Sequence, residues 1–211
     1  MNYYQEITLL PDSTIPLDFL WQKVYQQIHI ALVENKTERG DSNVAVAFPE
    51  YGSPGFRLGK KLRVIAQDTA MLEQLNLTNW LAKLSDYVHV KSIQAVPSNA
   101  RPVSYLRQQV KGAARIESDM QKKAALWAKK SGRTLGECLA DLEKSRPTKR
   151  SLLPFIWVES LHGKSEKKGS RPFPLFIQCV EAEHVIEGRF NCYGLSQVVE
   201  RNKILTTVPH F

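Results

Sequence analysis

The first 97 residues switch between two hydrophobic periods in an order that few folds can accommodate. "YQEITLL" (residues 4–10) alternates polar and apolar side chains, the period of a half-buried strand. After Pro16, residues 18–34 place Leu20, Val24, Ile28, Ala31 and Leu32 at helical spacing. "NVAVAFP" (43–49) and "KLRVIAQD" (61–68) read as strands again, separated by the Gly- and Pro-rich "EYGSPGFRLG". Asp68 or Thr69 then caps a helix carrying Met71, Leu72, Leu75, Leu81 and Leu84. "YVHVKSIQAVP" (87–97) alternates once more and stops at Pro97. The order is βαββαβ, the ferredoxin-like split βαβ arrangement, so the chain is expected to be α+β with a ferredoxin-like domain over residues 1–97. Such a fold is a frequent RNA-binding scaffold, but fold alone does not license function.

Past Pro97 the composition changes, and residues 98–211 are expected to form a C-terminal domain. "SNARPVSYLRQQVKGAA" (98–114) is polar, with Pro102 and Gly112, and reads as a linker or recognition loop. A helix follows from about Arg115 to Lys130. At helical spacing Lys111, Arg115, Lys122, Lys129 and Arg133 project within one sector, with Lys123 and Lys130 beside it and Met120, Ala124 and Trp127 opposite. Gly112 and Gly132 interrupt it near its ends. "RTLGECLADLEK" is a second helix with Leu135, Leu139 and Leu142 at core spacing, and residues 151–160 and 173–183 read as strands around the basic loop "LHGKSEKKGSRP". In "GRFNCYGLSQ" (188–197) one glycine lies inside an aromatic-flanked turn.

Charge follows the same division. The formal net charge is +8, and residues 101–150 hold 13 Lys or Arg against five Asp or Glu, leaving the rest of the chain neutral. A basic segment on a neutral body suggests a polyanion-binding surface, because clustered cations displace phosphate counterions; a solvated helical face is the plainer alternative. No apolar run reaches the length of a membrane span, and the N-terminus lacks the features of a signal peptide. Cys138, Cys179 and Cys192 are an odd number without CxxC spacing, which argues against a disulfide framework or a zinc site and makes a reducing cytoplasm the simplest home.

The chain has no P-loop, GxGxxG, HExxH or GxSxG motif, and its five histidines never pair at i,i+3 or i,i+4 spacing, so neither a metal nor a cofactor is expected. An RNA-binding enzyme without a metal can still use the ribose 2′-OH as nucleophile against the adjacent phosphate. That reaction needs a group titrating near neutrality and groups that fix the attack geometry. His29, in "YQQIHIAL", has the right chemistry beside an apolar helix stripe. From composition and periodicity alone it reads as a core histidine.

"KVYQQIHIALV", "VAFPEY" before "RLGKKLRV", "VSYLRQQVK", "LPFIWVES", "FPLFI" and above all "FNCYGLS" together resemble the CRISPR-associated endoribonuclease of type I-F systems. The resemblance runs over essentially the full length in element order. It implies an enzyme that cuts the repeat RNA of a CRISPR transcript on the 3′ side of a hairpin stem. It also implies that the product stays bound as the 3′ hairpin of a guide RNA, in a surveillance complex with other subunits. By that likeness His29 matches the catalytic histidine, Ser160 the serine that holds the 2′-OH and upstream ribose, and Tyr193 the tyrosine that orients the histidine. Phe173 matches an aromatic stacking on the terminal base pair, and Arg107 and Gln109 an Arg-x-Gln pair reading base edges at the foot of the stem. The basic helix, with Lys111, Arg115, Lys122, Lys123, Lys129, Lys130 and Arg133, matches the helix lying along the hairpin groove.

The sequence departs from the family pattern in two places. The groove helix is mostly lysine here, and lysine is a point charge without the bidentate fork, so recognition leans on phosphates. A second serine of the family appears as His162. Two other functions stay open at this level: a module that only packages the hairpin, and a DNA-binding regulator.

Overall fold

The computed structural model describes residues 1–110, 112–145, 152–159, 172–199 and 204–211. Its N-terminal part has the expected order: β1 (Tyr3–Leu9), α1 (Leu17–Glu34), β2 (Ala45–Ala47), β3 (Lys61–Ala66), α2 (Thr69–Leu75), α3 (Leu77–Trp80) and β4 (Val88–Val90). The strands pair antiparallel in the order β2-β3-β1-β4, with a two-residue β5 (Gln94–Ala95) also on β1. This strand order is that of the split βαβ arrangement. Tyr3 opposes Ala66 and Thr8 opposes Lys61, which sets Ile7 and Leu9 on the face packed against the helices. The helix α1 buries Leu20, Trp21, Val24, Tyr25, Ile28, His29, Ala31 and Leu32, a continuous stripe at helical spacing.

The opposite face of this sheet carries a buried charge. Glu6 on β1 stands directly across from Arg63 on β3, and the two pair at 2.8 Å while Lys91 Nζ lies 2.7 Å from the second carboxylate oxygen. Burial opposes ionisation of Glu6, but the hydrogen bonds from Lys91 and Arg63 outweigh it and hold the carboxyl below its ordinary range. The Arg63 guanidinium also lies 3.9 Å from the centroid of the Phe211 ring, so the last residues of the chain cover this pair.

The stretch 98–114, expected as a linker or loop, instead contains a central strand. β6 (Arg101–Gln108) pairs antiparallel with β8 (Phe173–Glu181) on one side and β9 (Val208–His210) on the other, and β7 (Phe155–Val158) forms the edge beyond β8. Its polar residues are satisfied by distant groups: Ser104 Oγ donates to Thr206 O, and the Tyr105 amide donates to Ser196 Oγ. Val103 and Tyr105 face the core. Strands 151–160 and 173–183 are present as the shorter β7 and β8.

The helix expected to run past Leu81 breaks at Asn76, which adopts a left-handed conformation (φ 47°) between α2 and α3; residues 82–87 are 3-10. Asp68 caps α2 as expected, accepting the Met71 amide at 2.9 Å.

The first sheet draws on residues 3–95 and the second on residues 101–210. By compactness, residues 1–108 with 153–211 form one unit that contains both sheets, and residues 109–152 form a second. In the first unit Trp21, Tyr25, Phe48, Tyr105 and Phe190 are fully buried between the layers, and Tyr105 OH donates to Phe48 O across the two sheets. In the second unit α4 (Ala113–Ser131) runs from Gly112 to Gly132, whose φ of 71° ends it as a left-handed cap, and α5 (Leu135–Lys144) packs on it. Met120, Ala124 and Cys138 are buried here, whereas Trp127 and Leu135, expected on core faces, are exposed.

Candidate active site

The site grows from the turn "FNCYGLS". Phe190 pairs with Ser42 near the edge of the first sheet, and the Val46 amide donates to Gly194 O at 2.9 Å. Two residues on, the Ser196 amide donates to Tyr105 O on β6. The segment therefore bridges the two sheets, and between these anchors it must turn tightly. Asn191 makes the turn locally: its Oδ1 accepts the Tyr193 and Leu195 amides at 2.9 and 3.2 Å. Gly194 completes it at φ 71°, and a Cβ there would lie 2.5 Å from Val46 Cγ2 and 3.1 Å from Val46 N. Only glycine fits both demands.

This turn presents two consecutive carbonyls to helix α1. Tyr25 OH donates to Tyr193 O at 2.8 Å, and one turn further His29 Nδ1 lies 2.9 Å from Cys192 O. A carbonyl can only accept, so Nδ1 carries the proton and the neutral imidazole has its lone pair at Nε2. The Tyr193 ring stacks on the imidazole with centroids 4.3 Å apart and an interplanar angle of 13°. His29 is 3% exposed, so hydrogen bond and stack together hold the ring in one orientation.

Two further residues extend the stack. Phe173, the first residue of β8, meets the Tyr193 ring edge-on at 6.4 Å. The Arg107 guanidinium on β6 lies 5.2 Å from the Phe173 centroid and 5.3 Å from that of Tyr193. Burial pushes the Tyr193 phenol above its ordinary pKa, against the pull of the Arg107 cation. Burial also raises the Cys192 thiol, which keeps it in the neutral form.

The structure thus brings His29, Tyr193, Phe173 and Arg107 into one cluster. Ser160, His162 and Lys111 lie outside the described residues. Gln109 is exposed just past β6. Tyr25 and Asn191 are additions: a polar-tipped aromatic four residues before His29, and an asparagine two residues before Tyr193 in a glycine turn, were the signals available. Among the described residues, no group of three or more His, Cys, Asp or Glu side chains gathers as around a metal ion, and no helix is long and apolar enough to cross a membrane. Cys138, Cys179 and Cys192 are free thiols.

In the second unit Arg115, Lys122, Lys123, Lys129 and Lys130 are exposed on α4. Arg133 is engaged locally: it pairs with Asp141 at 2.8 Å and lies over the Trp127 ring at 5.7 Å. Its charge is partly neutralised by that pair, so the open stripe is made of lysines and Arg115.

The family profile described as "CRISPR-associated protein (Cas_Csy4)" matches residues 4–211. A protein of Escherichia coli (strain UTI89 / UPEC) named "CRISPR-associated endonuclease Cas6/Csy4" is 27% identical over 215 residues, covering all of both chains. A protein of the same name from Pseudomonas aeruginosa (strain UCBPP-PA14) is 29% identical over 203 residues, 93% of this chain and 96% of that one. A solved structure titled "Characterization of a Cas6-related gene from Pyrococcus furiosus" covers 99% of each chain at 12% identity and a TM-score of 0.32, which adds nothing to the fold described above. Matched from residue 4 to its last residue, the chain belongs to the Csy4 family of CRISPR-associated proteins.

Proposed function

We propose that this protein is a metal-independent endoribonuclease that binds a CRISPR repeat hairpin and cuts it on the 3′ side of the stem. The observation that carries the reading is the fixed imidazole of His29. With Nδ1–H on the Cys192 carbonyl and one ring face on Tyr193, proton exchange falls to Nε2. The names of both curated relatives, CRISPR-associated endonucleases, support the same class of reaction.

In this reaction the ribose 2′-OH upstream of the scissile phosphate attacks phosphorus. The O2′–P bond forms as the P–O5′ bond breaks, the 2′ proton leaves and the 5′-oxygen gains one. The products are a 2′,3′-cyclic phosphate, or a 3′-phosphate after its hydrolysis, and a 5′-hydroxyl. His29 serves as base toward the 2′-OH, as acid toward the 5′-oxygen, or as both. Ser160 holds the 2′-OH and upstream ribose in line, where orientation supplies much of the rate. Phe173 stacks on the terminal base pair, and Arg107 and Gln109 read base edges. A guanidinium lying on aromatic faces still presents its edge N–H donors, so the stacked Arg107 is compatible with base reading. Lys111, Arg115, Lys122, Lys123, Lys129 and Lys130 contact phosphates, and this sequence-independent grip favours retention of the product as the guide RNA's hairpin, alongside the other subunits of a surveillance complex.

Cleavage of cognate repeat RNA in the presence of EDTA tests the reading. Cutting is expected to survive chelation and to stop when the upstream 2′-OH is replaced by hydrogen. Loss of cleavage on chelation, or cleavage of the 2′-deoxy substrate, overturns it.

A further inference from the structure

The end of β7 is held by a side chain with no part in the roles above. Gln26 lies one helical turn before His29 on α1, and its carboxamide reaches the backbone of Glu159. The Glu159 amide donates to Gln26 Oε1 at 2.9 Å, and Gln26 Nε2 approaches Glu159 O at 3.5 Å. Glu159 stands one residue past the last ladder pair of β7, Val158 with Phe173, on the edge strand of the second sheet. Among the described residues its backbone groups have no strand partner, and the glutamine amide, with a donor and an acceptor in one plane, takes the place of one. The chain then continues directly into Ser160.

We infer that Gln26 is a positioning residue of the cleavage site, coupling the helix that carries His29 to the strand end that leads into Ser160. The inference rests on the reading above, in which His29 and Ser160 act on the same ribose and phosphate. Both ends of the coupling are firm: Gln26 is followed by the buried stripe residues Ile28 and His29, and Glu159 is preceded by the fully buried Val158. Glu159 is the step between that ladder and Ser160 in sequence, and Gln26 holds its backbone. In-line attack is sensitive to displacements of this kind, since a shift of about 1 Å can cost roughly a hundredfold in rate. Among the described residues its hydrogen bonds go to the Glu159 backbone and to none of the residues assigned to RNA recognition, so its effect belongs in the rate and not in affinity.

Gln26→Leu removes both hydrogen bonds at similar volume, whereas Gln26→Glu keeps an acceptor for the Glu159 amide. Single-turnover cleavage at saturating hairpin RNA, hairpin affinity and hydrogen exchange of the Glu159 amide are measured on both variants and on the wild type. Gln26→Leu is expected to cleave roughly ten- to a hundredfold more slowly with affinity unchanged and faster Glu159 exchange, and Gln26→Glu to recover most of the rate. A wild-type rate in Gln26→Leu, a Gln26→Glu protein as slow as Gln26→Leu, or a fall in affinity matching the fall in rate overturns the inference. His29→Ala run alongside separates the two levels. Full cleavage by His29→Ala overturns the reading of the site and this inference with it. Loss in His29→Ala with a wild-type rate in Gln26→Leu overturns the inference alone.

Discussion

The ring cluster and the basic helix solve different physical problems with opposite means. The hydrogen bonds described around His29 are long-range: Cys192 O is 163 residues away in sequence, and Tyr25 reaches its partner over 168. The groups are few; His29 and Tyr25 are buried and held by backbone carbonyls, with the half-buried Tyr193 ring stacked on the imidazole. On α4 the charges are exposed, numerous and spaced by the helix itself, with no tertiary contact needed to align them. A geometry-critical proton transfer needs the first kind of construction, because orientation sets its rate. Holding a phosphate backbone needs only the second, because the attraction is spread over many weak, salt-screened contacts. The two regions should therefore fail differently when altered.

The sharpest break is His29→Ala. It removes the proposed proton-transfer group and the stack on Tyr193, and cleavage is expected to fall by roughly 10²- to 10⁴-fold. Hairpin affinity should stay nearly intact, as measured by titration of labelled RNA under conditions that trap the complex. Parallel loss of binding would make His29 itself part of the grip and erase the contrast with α4.

Gly194→Ala tests whether the turn, and not merely the rings, sets the geometry. The added Cβ meets Val46 within 2.5 Å, and φ 71° disfavours any side chain. A cost of about 1–3 kcal/mol in stability is expected from the strained conformation. At temperatures where the variant remains folded, cleavage should fall about tenfold or more as the Cys192 and Tyr193 carbonyls shift under His29 and Tyr25. Thermal unfolding and single-turnover rates measure the two effects separately.

The same local-versus-distant division decides what the sequence reveals. α1, α4 and the ladder order of the first sheet are legible because their signals are periodic over neighbouring residues. The turn at residues 190–196 is legible too, since asparagine and glycine make it from within. β6 is not: "RPVSYLRQ" is rich in groups that mark loops, and the residues that satisfy it, Ser196 and Thr206, lie about a hundred residues on. β9 is three residues long and carries no periodicity to read. For the site, His29 could be named as a chemical candidate from its residue type and helix position. Its carbonyl partner, its stack on Tyr193 and the Arg107 contact with two rings are products of packing, which no spacing encodes.

On the other side of the comparison, replacing Lys122 and Lys129 together by alanine should weaken binding to hairpins of different sequence alike. The dependence of log affinity on log salt concentration should become shallower by about one unit per lysine. The rate at saturating RNA should not change, because neither side chain belongs to the ring cluster. Affinity measured across a salt series decides this. A sequence-selective loss would mean that these lysines read bases, and a lower saturated rate would mean that the helix also sets the attack geometry.

The smallest expected effect is Thr134→Ala, and it tests how independent the basic unit is. Thr134 caps α5 in a reciprocal box: its Oγ1 accepts the Glu137 amide at 3.3 Å, and Glu137 Oε2 accepts the Thr134 amide at 2.9 Å. Loss of such a cap costs about 1 kcal/mol. The Thr134 amide and hydroxyl hold the Glu137 carboxyl below its ordinary range, so this contribution is present above that range and fades as the pH falls through the lowered value. Amide exchange along α4 and α5 should rise in the variant, most at neutral pH, and the difference from wild type should shrink in acid. Exchange around residues 25–29 and 190–196 should be unmoved if compactness truly divides the chain at residues 109–152. Faster exchange there would show instead that the ring cluster depends on the basic unit for its order, and that the two constructions are one.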